Sequence, residues 1–353
     1  MLRKIFLVFT AIVAFIFSYG QSDTTKPAPT SPAPTITGSV DGYYRFNFND
    51  PPQGVYNNYT SFTNSQNSFE LGMASIRADH SFGKASATID LGFGRRAEEF
   101  SYANPDHPTL FAVKQAYLNY AVSDKVTFTL GKWATHVGYE VTDAYLNRNY
   151  SMDYMFSYGP FSHTGLKVQI ATGKKSALML GVANETDNVT TTASPKYLIA
   201  QYSTATKNDK VKVYLNYQGS YNYAFSKTQF DVVLTGTVTD KFSVGYNGTV
   251  QMYEPKGGTS NSWWGSAVYL NLDPTTIFGI TLRGEYFNDD HAIVFGTGTS
   301  IFDVTLSPNI RINNLTIIPE LRLDAAQKEI FSKTDGTGTQ STVTALLAAT
   351  YHF

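Results

Sequence analysis

The feature that most limits the fold is a regular alternation of apolar and polar residues, which begins near residue 35 and continues to the end of the chain. In the segment 37–48, one face holds Val40, Gly42, Tyr44, Phe46 and Phe48. The opposite face holds Thr37, Ser39, Asp41, Tyr43, Arg45 and Asn47. The alternation recurs in the segments 242–253, 277–287 and 315–324. A period of two residues is typical of β-strands with one apolar and one polar face, so the chain is predicted to be all-β.

The connections between these segments distinguish a membrane barrel from a soluble sandwich. Short turn signals, such as Phe82-Gly83-Lys84 and Ser123-Asp124-Lys125, alternate with longer polar links. The longer links lie at about 49–67, 94–110, 134–162, 185–195, 219–226, 254–261, 288–298 and 326–340. Short periplasmic turns and long extracellular loops are typical of outer-membrane barrels. The sequence therefore predicts a transmembrane antiparallel up-and-down β-barrel over residues 35–353.

The number of strands sets the width of the predicted barrel. Counting the segments between the links gives about sixteen strands, within a range of fourteen to eighteen. An even number places both ends of the chain on the periplasmic side, and barrels of roughly 16 to 18 strands leave an aqueous channel. Pro319 lies within the segment 315–324 and marks a candidate β-bulge, because proline cannot donate to a strand ladder.

Composition excludes several other classes of protein. The net charge of -1 argues against a nucleic-acid partner, because duplex binding needs a clustered basic surface. Charged residues make up 16% and aromatic residues 14% of the chain, whereas a soluble domain has about 25% charged residues. The mean hydropathy of -0.20 is too polar for a helical membrane protein. Cysteine is absent, which removes disulfides, thiolate metal sites and cysteine nucleophiles. No cofactor is expected.

The N-terminal residues 1–20 have the features of a secretory signal peptide. These features are a positive start at Arg3 and Lys4, an apolar run at 5–17 and a cleavage site between Gly20 and Gln21. The apolar run is too short for a transmembrane helix, which needs about 20 residues. Residues 21–34 are rich in proline and threonine and are predicted to form an extended periplasmic linker. Together these segments predict export to the outer membrane of a Gram-negative bacterium.

The last predicted strand, 341–353, carries the sharpest local signal. Its apolar residues occupy every second position and end with Tyr351 and Phe353. A terminal aromatic residue in this pattern resembles the recognition signal of the outer-membrane insertion machinery. We expect Phe353 to face lipid at the periplasmic rim, where the closing strand pairs with the first strand near 37–48. The expected partners are the insertion machinery and outer-membrane lipid.

The longest interior link, 134–162, concentrates titratable residues. They are His136, Glu140, Asp143, Arg148, Asp153 and His163. In general porins the third extracellular loop folds into the lumen and narrows it, and this is the third long link. Its charges are candidates for a pore constriction, because a narrow low-dielectric channel magnifies fixed charges. The alternative is that these groups pair with one another and with the wall and only brace the link.

Other polar and aromatic residues are placed by their faces. The charged residues predicted to line the lumen wall are Asp41, Arg45, Arg283, Glu285, Glu320, Arg322 and Asp324. Trp263 and Trp264 are predicted to lie in the aromatic girdles at the membrane interfaces.

Two patterns in the same link are weak evidence for chemistry. A zinc site would use His136, Glu140 and His163, but their spacing is irregular. A hydrolase would need Ser151 or Ser162 beside His163, and both residue types are common here. We therefore expect no metal site and no enzymatic activity.

The segment Gly92-Phe93-Gly94 is not a phosphate-binding loop. It lies at a strand end, no helix is predicted after it, and the Lys-Thr/Ser pair is missing. The charged residues that come after it are predicted to form a solvated loop face, which consists of Arg95, Arg96, Glu98 and Glu99.

An ordered series of short motifs resembles the β-barrel porin-2 family of OmpL-like porins. The motifs are Gly38 to Tyr44, Asn67 to Gly72, Asp90 to Gly94, Lys114 to Tyr117, Gly131-Lys132, His136 to Glu140, Asn149 to Ser151 and His163 to Gly165. They cover the N-terminal half, and the C-terminal half matches only in pattern. The resemblance implies an outer-membrane channel with no known catalytic residues and no assigned substrate.

Two functions are compatible with the sequence. The leading hypothesis is passive diffusion of small hydrophilic solutes through the barrel, with the link 134–162 as the constriction. The alternative is a non-conducting outer-membrane barrel whose extracellular loops bind a ligand or partner. A plugged transporter is disfavoured, because no N-terminal plug domain is predicted and the chain is too short for the roughly 22 strands of such barrels. By analogy with sixteen-stranded porins, a homotrimer is a candidate assembly.

Overall fold

Sixteen antiparallel strands close into a barrel in the computed structural model, counted within residues 31–101, 108–191, 195–221 and 224–353, which the structure describes. This confirms the predicted fold and strand number. The predicted signal peptide, 1–20, and most of the predicted linker, 21–34, lie outside the described residues. In the described part of the chain, no helix is long and apolar enough to cross a membrane.

The barrel strands succeed one another around the wall in chain order, except that two short strands intervene before the last one. The strands are β1 (Thr35–Asn47), β2 (Ser68–Phe82), β3 (Ala85–Phe93), β4 (Val113–Ser123), β5 (Val126–Ala134), β6 (Ser162–Ala171), β7 (Ser176–Ala183), β8 (Tyr197–Ala205), β9 (Val211–Tyr221), β10 (Phe225–Thr239), β11 (Phe242–Pro255), β12 (Asn261–Leu272), β13 (Phe278–Asp289), β14 (Thr299–Ile312), β15 (Leu315–Ala326) and β18 (Ser341–His352). The short strands β16 (Phe331–Ser332) and β17 (Gly338–Thr339) pair only with each other.

Side chains alternate between the two faces of each strand, as the sequence predicts. On β1, Asp41 and Arg45 are buried, whereas Val40, on the opposite face, is 44% exposed. On β15, Leu321 and Leu323 are exposed while the polar residues that alternate with them are buried. The outer surface is therefore a continuous apolar band, which suits a hydrocarbon environment.

The barrel closes through the pairing of β1 with β18, in a register that runs from Ser39 opposite His352 to Asn47 opposite Thr344. At the end of the chain, the backbone N–H of Gly38 donates to the carbonyl oxygen of Phe353 and the N–H of Phe353 donates to the carbonyl oxygen of Gly38, both at 3.0 Å. The predicted pairing of the first and last strands is confirmed.

Two of the predicted long links are short connections. The link predicted at 219–226 shrinks because β9 extends to Tyr221 and β10 begins at Phe225. The link predicted at 254–261 shrinks because β11 extends to Pro255 and β12 begins at Asn261. The ends of these strands are polar and lie beyond the apolar alternation, so their sequence is indistinguishable from that of a loop.

The β-bulge predicted at Pro319 is wrong. The register between β14 and β15 is the same on both sides of this position, with Leu306 opposite Leu321 and Ile310 opposite Ile317. This register places Pro308 directly opposite Pro319. Because neither proline has an N–H to donate, the ladder lacks bonds there without the insertion of an extra residue.

The six long loops are numbered by their order among the eight connections at this end of the barrel, of which the fifth and sixth are the two short connections after β9 and β11. The long loops are L1 (48–67), L2 (94–112), L3 (135–161), L4 (184–196), L7 (290–298) and L8 (327–340). L2 contains a short helix, Arg95–Phe100, and a 3-10 turn, Pro108–Ala112. L3 contains a 3-10 turn, Ala144–Leu146, and a short helix, Tyr154–Tyr158.

Candidate functional site

The backbone of L3 is bound by carboxylates that lie on the polar face of the strands. On β13, the carboxylate of Glu285 accepts hydrogen bonds from the backbone N–H groups of Tyr154 at 2.7 Å and Met155 at 3.0 Å. These two residues begin the short L3 helix, whose N-terminus favours a negative charge. Asp153 caps the same helix by accepting from the N–H of Phe156 at 2.6 Å. One wall residue and one loop residue therefore satisfy the first turn of the helix.

A second wall carboxylate binds L3 in the same way. On β15, Glu320 accepts from the backbone N–H groups of Tyr150 at 2.8 Å and Ser151 at 3.1 Å. It also accepts from the hydroxyl of Ser307 on β14 at 2.8 Å. Glu285 and Glu320 were both predicted to line the lumen wall, and in the structure their charges are directed to the loop backbone.

Arg283 on β13 joins the wall to L3 through a buried network of ion pairs. Its guanidinium lies 2.7 Å from Glu140 of L3 and 2.8 Å from Asp303 on β14, and it also donates to the carbonyl oxygens of Ser151 and Met152. Burial raises the pKa of Glu140, and the charge of Asp153 reinforces that shift. Arg283 is completely buried, so its charge is stabilised by the carboxylates of Glu140 and Asp303 instead of by water.

Arg322 and Asp324 on β15 form a parallel arrangement. Their side chains lie 2.8 Å apart, and the Arg322 guanidinium also donates to the carbonyl oxygen of Met152 at 2.7 Å. The hydroxyl of Tyr154 donates to Asp324 at 2.8 Å, and its ring lies beneath the Arg322 guanidinium. These two wall residues also contact L3.

On β1, the two predicted wall residues contact different loops. Asp41 accepts a hydrogen bond of 2.5 Å from the hydroxyl of Tyr150 in L3. Arg45 donates to the carbonyl oxygens of Tyr56 at 2.8 Å and Ser65 at 2.5 Å in L1. All seven residues predicted for the lumen wall therefore lie on the polar face and are engaged by loops or by one another.

The predicted constriction residues do not gather at one point. His136 and His163 come together, with ring centroids 4.9 Å apart, while Glu140 lies with Arg283. The Nε2 atom of His136 donates to the carbonyl oxygen of Tyr217 on β9 at 3.2 Å. Burial lowers the pKa of His136 to about 4.

The residues considered for a zinc site or a hydrolase do not form either site. Within the described residues, no group of three or more His, Cys, Asp or Glu side chains is placed to hold a metal ion. The hydroxyl of Ser151 lies 3.5 Å from the guanidinium of Arg322, and that of Ser162 lies 3.4 Å from Asp187. His163 has Thr135 as its side-chain hydrogen-bonding partner, at 3.1 Å.

The central part of L3 reaches the short turns at the opposite end of the barrel. Arg148 makes two hydrogen bonds with Asp273, which comes directly after β12, and Arg311 on β14 lies 2.7 Å from the same carboxylate. Burial alone would raise the pKa of Asp273, but the two arginines outweigh it and hold the pKa below its ordinary value. Asp143 pairs with Lys114 on β4 at 2.6 Å.

An aromatic cluster joins L3 to L1, L7 and L8 at the loop end of the barrel. Its members are Tyr59, Tyr154, Tyr158, Trp263, Phe287, Phe295 and Phe331. Trp263 is 1% exposed, so its predicted place in an aromatic girdle is wrong, whereas Trp264 is 41% exposed on the outer face. Adjacent residues of one strand point to opposite faces, which allows only one of the two tryptophans to face outward.

L2 differs from its prediction in two respects. A helix, Arg95–Phe100, begins directly after Gly94, although no helix was predicted there. Arg96 is completely buried, whereas a solvated face was predicted. Its guanidinium lies 4.9 Å from the ring centroids of both Phe62 and Tyr150. The charge pattern of this segment was uninformative because a cation held between two aromatic rings leaves no mark in local sequence.

Two cavities flank the L3 segment Val141–Leu146, in which Val141, Tyr145 and Leu146 are exposed. One, of about 190 Å³, lies between this segment and the wall, where Arg77, Asp90 and Lys114 line it. The other, of about 250 Å³, lies between the segment and β12 and is lined by Asn271 and other polar groups. The most important residues to which the sequence assigned no role in the site are Lys114, which was quoted only as part of a family motif, and Asp303, which is one of several polar residues of β14.

The comparisons with known proteins agree with this architecture. A family model described as "Putative beta-barrel porin-2, OmpL-like" matches residues 34–353. The chain belongs to this family. The match extends over the C-terminal half as well, where the sequence resembled the family only in pattern. A search of the curated proteins returned no match to the chain.

Solved structures show the same fold at low sequence identity. The anion-selective porin from Comamonas acidovorans has a TM-score of 0.62 and 9% identity, with 91% of this chain and 99% of that chain covered. The outer-membrane channel DcaP of Acinetobacter baumannii has a TM-score of 0.59 and 11% identity, with 93% and 100% covered. The trimer form of Vibrio cholerae OmpT has a TM-score of 0.57 and 9% identity, with 92% and 100% covered. The protein is an outer-membrane porin barrel.

Proposed function

We propose that the protein is a passive diffusion channel for small hydrophilic solutes, with L3 folded into the lumen as its constriction. The observation that carries the proposal is the binding of L3 by side chains on the polar face of strands from opposite sides of the barrel. Glu285 and Glu320 hold the L3 backbone on one side, and Lys114 holds Asp143 on the other. A loop that is fixed to the wall on both sides narrows the cross-section of the lumen.

The space beside L3 supports the same proposal. The two cavities next to Val141–Leu146 are bordered by charged and amide side chains as well as by aromatic and aliphatic ones, and the polar groups can contact hydrated solutes. Most charged side chains of L3 form ion pairs or hydrogen bonds with wall residues. The constricting role proposed for His136, Glu140, Asp143, Arg148, Asp153 and His163 is therefore mainly to set the position of the loop, with Asp143 and Arg148 closest to the open space.

Single-channel recording in planar lipid bilayers tests this function. The purified barrel is expected to give discrete conductance steps, and a variant that lacks the middle of L3 is expected to give larger ones. A variant shortened in L8 between residues 333 and 337, which are exposed, serves as the matched deletion control. A barrel that folds and inserts but carries no current would contradict the channel, and equal steps in the L3 variant and the parent would contradict the constriction.

One observation favours the alternative function. The aromatic cluster fills the loop end of the barrel near β12 and β13, and it binds L1, L7 and L8 into one packed surface. A non-conducting barrel that presents these loops to a ligand or partner would show this packing and give no conductance steps in the same recordings.

The proposed assembly is a homotrimer in the outer membrane, where lipid covers the rest of the apolar outer surface. Support comes from the fold shared with a porin that forms trimers. Light scattering of the detergent complex measures the number of chains directly, and a monomer mass would contradict this assembly.

A further inference from the structure

Lys167 on β6 differs from Arg283 and Arg322, which lie on the same polar face of the barrel. The arginines Arg283 and Arg322 each have a carboxylate within 2.8 Å. Among the described residues, no carboxylate forms an ion pair with Lys167, and its Nζ atom lies instead 4.5 Å from the ring centroid of Trp133 on β5. A half-buried ammonium group without a counter-charge is costly to keep in place unless a ligand or water completes its surroundings.

The neighbours of Lys167 also lack partners. The indole Nε1 of Trp133, which can only donate, is buried and has no hydrogen-bond acceptor in the described part of the chain. The Nδ1 atom of His163 is also buried and has no hydrogen-bond partner in the described part of the chain. The His163 ring lies 6.4 Å from the Trp133 ring and 4.9 Å from the His136 ring. Buried polar atoms without hydrogen-bond partners therefore lie close to the unpaired ammonium group of Lys167.

The backbone makes room for the Lys167 side chain. Gly181 lies opposite Lys167 in the pairing of β6 with β7. A Cβ atom at position 181 would lie 2.9 Å from the Cβ of Lys167 and 2.8 Å from the carbonyl oxygen of Leu166. Glycine is therefore needed at position 181 for β7 to pack against the base of the Lys167 side chain.

Nearby charges strengthen the positive potential of this region. Lys132 on β5 and Lys227 on β10 both act on the carboxylate of Asp187 in L4. That carboxylate already accepts hydrogen bonds from the backbone N–H groups of Phe161 at 2.8 Å and Ser162 at 2.7 Å. The two lysines thus share one carboxylate whose acceptor capacity is partly used by the backbone, and one of them, Lys132, directly precedes Trp133 in β5.

We propose that Lys167, Trp133 and His163 form a binding site for a small oxyanion, a carboxylate or a phosphate, on the β5–β6 side of the lumen. The oxygen atoms of such an ion accept from the ammonium group and from the indole N–H, and its charge offsets that of Lys167. The proposal rests on the proposed channel only for the route by which a solute arrives, because binding itself needs no current. It extends that function by naming the class of solute that the channel favours.

Calorimetric titration of the full barrel in detergent, at constant ionic strength, tests the site. Inorganic phosphate and succinate are titrated separately, so that the two oxyanion classes are distinguished. Saturable binding of at least one of them is expected. Lys167→Gln should weaken that binding about tenfold or more, which is the loss expected for one charge-assisted hydrogen bond. Lys167→Arg should retain most of it, and Lys333→Gln, at an exposed position of L8, should leave it unchanged.

The outcomes separate this proposal from the channel itself. Absence of saturable binding for both anions overturns the site, whether or not the barrel conducts. Binding that is the same in Lys167→Gln and in the parent also overturns it. A silent barrel that binds phosphate or succinate overturns only the channel. If Lys167→Gln does not fold, Trp133→Phe removes the indole donor while keeping an aromatic ring, and undiminished binding by that variant contradicts the site.

Discussion

The guanidinium of Arg283 on strand β13 lies 2.7 Å from the carboxylate of Glu140 in L3, and both side chains are buried. The two residues are 143 positions apart in the chain. Their contact therefore fixes L3 to β13, which is not one of the two strands that the loop connects. Attraction between buried charges is strong, but so is the cost of removing both from water. The effect of the pair on the free energy of unfolding is therefore seen when one partner is removed.

Replacing Arg283 with methionine should therefore destabilise the barrel strongly. The substitution leaves Glu140 without its cation, and breaking a buried pair in this way costs about 3–5 kcal/mol. Guanidinium-induced unfolding, followed by tryptophan fluorescence, measures the change. Arg77→Met is the matched control, because its pair with Asp79 is over one third exposed and should cost about 1 kcal/mol or less. Equal losses in the two variants would contradict a special role for the buried pair.

The carboxylates that bind the L3 backbone give a second prediction. Glu285→Gln replaces one of two acceptor oxygens with an NH₂ group, which faces the backbone N–H of Tyr154 or Met155 and cannot accept from it. Amide hydrogen exchange in the segment 150–158 should become faster, because the loop opens locally more often. Glu254→Gln, at an exposed position of β11, is the control. Unchanged exchange in Glu285→Gln would mean that other contacts hold the segment.

The burial of His136 gives a dependence of L3 on pH. The pKa of His136 is lowered from 6.5 to about 4 by burial, and the charge of nearby Lys167 acts in the same direction. The released loop therefore takes up a proton that the packed loop does not, so the packed state is fully stable above about pH 6.5 and loses stability as the pH falls towards 4. The ring of His163 and the ammonium group of Lys167 are near the same imidazole, and of these two only Lys167 acts on its pKa.

Hydrogen exchange of residues 135–139 at pH 7.5 and 4.5, corrected for intrinsic rates, checks this dependence. Exchange should be faster at the lower pH in the parent, and His136→Asn should reduce the difference. His291→Asn, at an exposed position of L7, should keep the full difference. A difference that persists in His136→Asn would assign the effect to other groups.

The range of the interactions decides how much of the structure was predictable. The alternation of residues in β1 and the terminal Phe353 are local or periodic signals, and they predicted the strands, their number and the closing pair. The contacts of Glu285 and Glu320 with L3 depend on register across the barrel, so the sequence identified these residues as polar and inward but not as ligands of a loop backbone. The burial of Arg96 depends on rings from two other loops, and no local pattern encodes it.

The two adjacent tryptophans of β12 test the assignment of the faces. Trp264 is 41% exposed on the outer surface, whereas Trp263 is 1% exposed within the aromatic cluster. In bilayers of brominated lipid, which quenches only tryptophans in contact with acyl chains, most of the quenching should come from Trp264. Trp264→Phe should remove most of it and Trp263→Phe should retain it. The reverse result would mean that the register of β12 is shifted by one residue.

The closing strand gives the last prediction, because Gly38 and Phe353 meet where the barrel is sealed. A Cβ atom at position 38 would lie 2.6 Å from the Phe353 ring and 2.8 Å from the carbonyl oxygen of Ser75. Gly38→Ala should therefore displace the terminal ring and reduce the yield of folded barrel, measured as the heat-modifiable species on gels. Gly284→Ala is the control, since a Cβ atom there meets no atom within 4 Å. Phe353→Ala removes the ring but keeps the two backbone hydrogen bonds, so adding it to Gly38→Ala should remove the clash with the ring. If the ring is the main obstacle, the double variant will fold no worse than Phe353→Ala alone, and a further loss would place the obstacle at the Ser75 carbonyl instead.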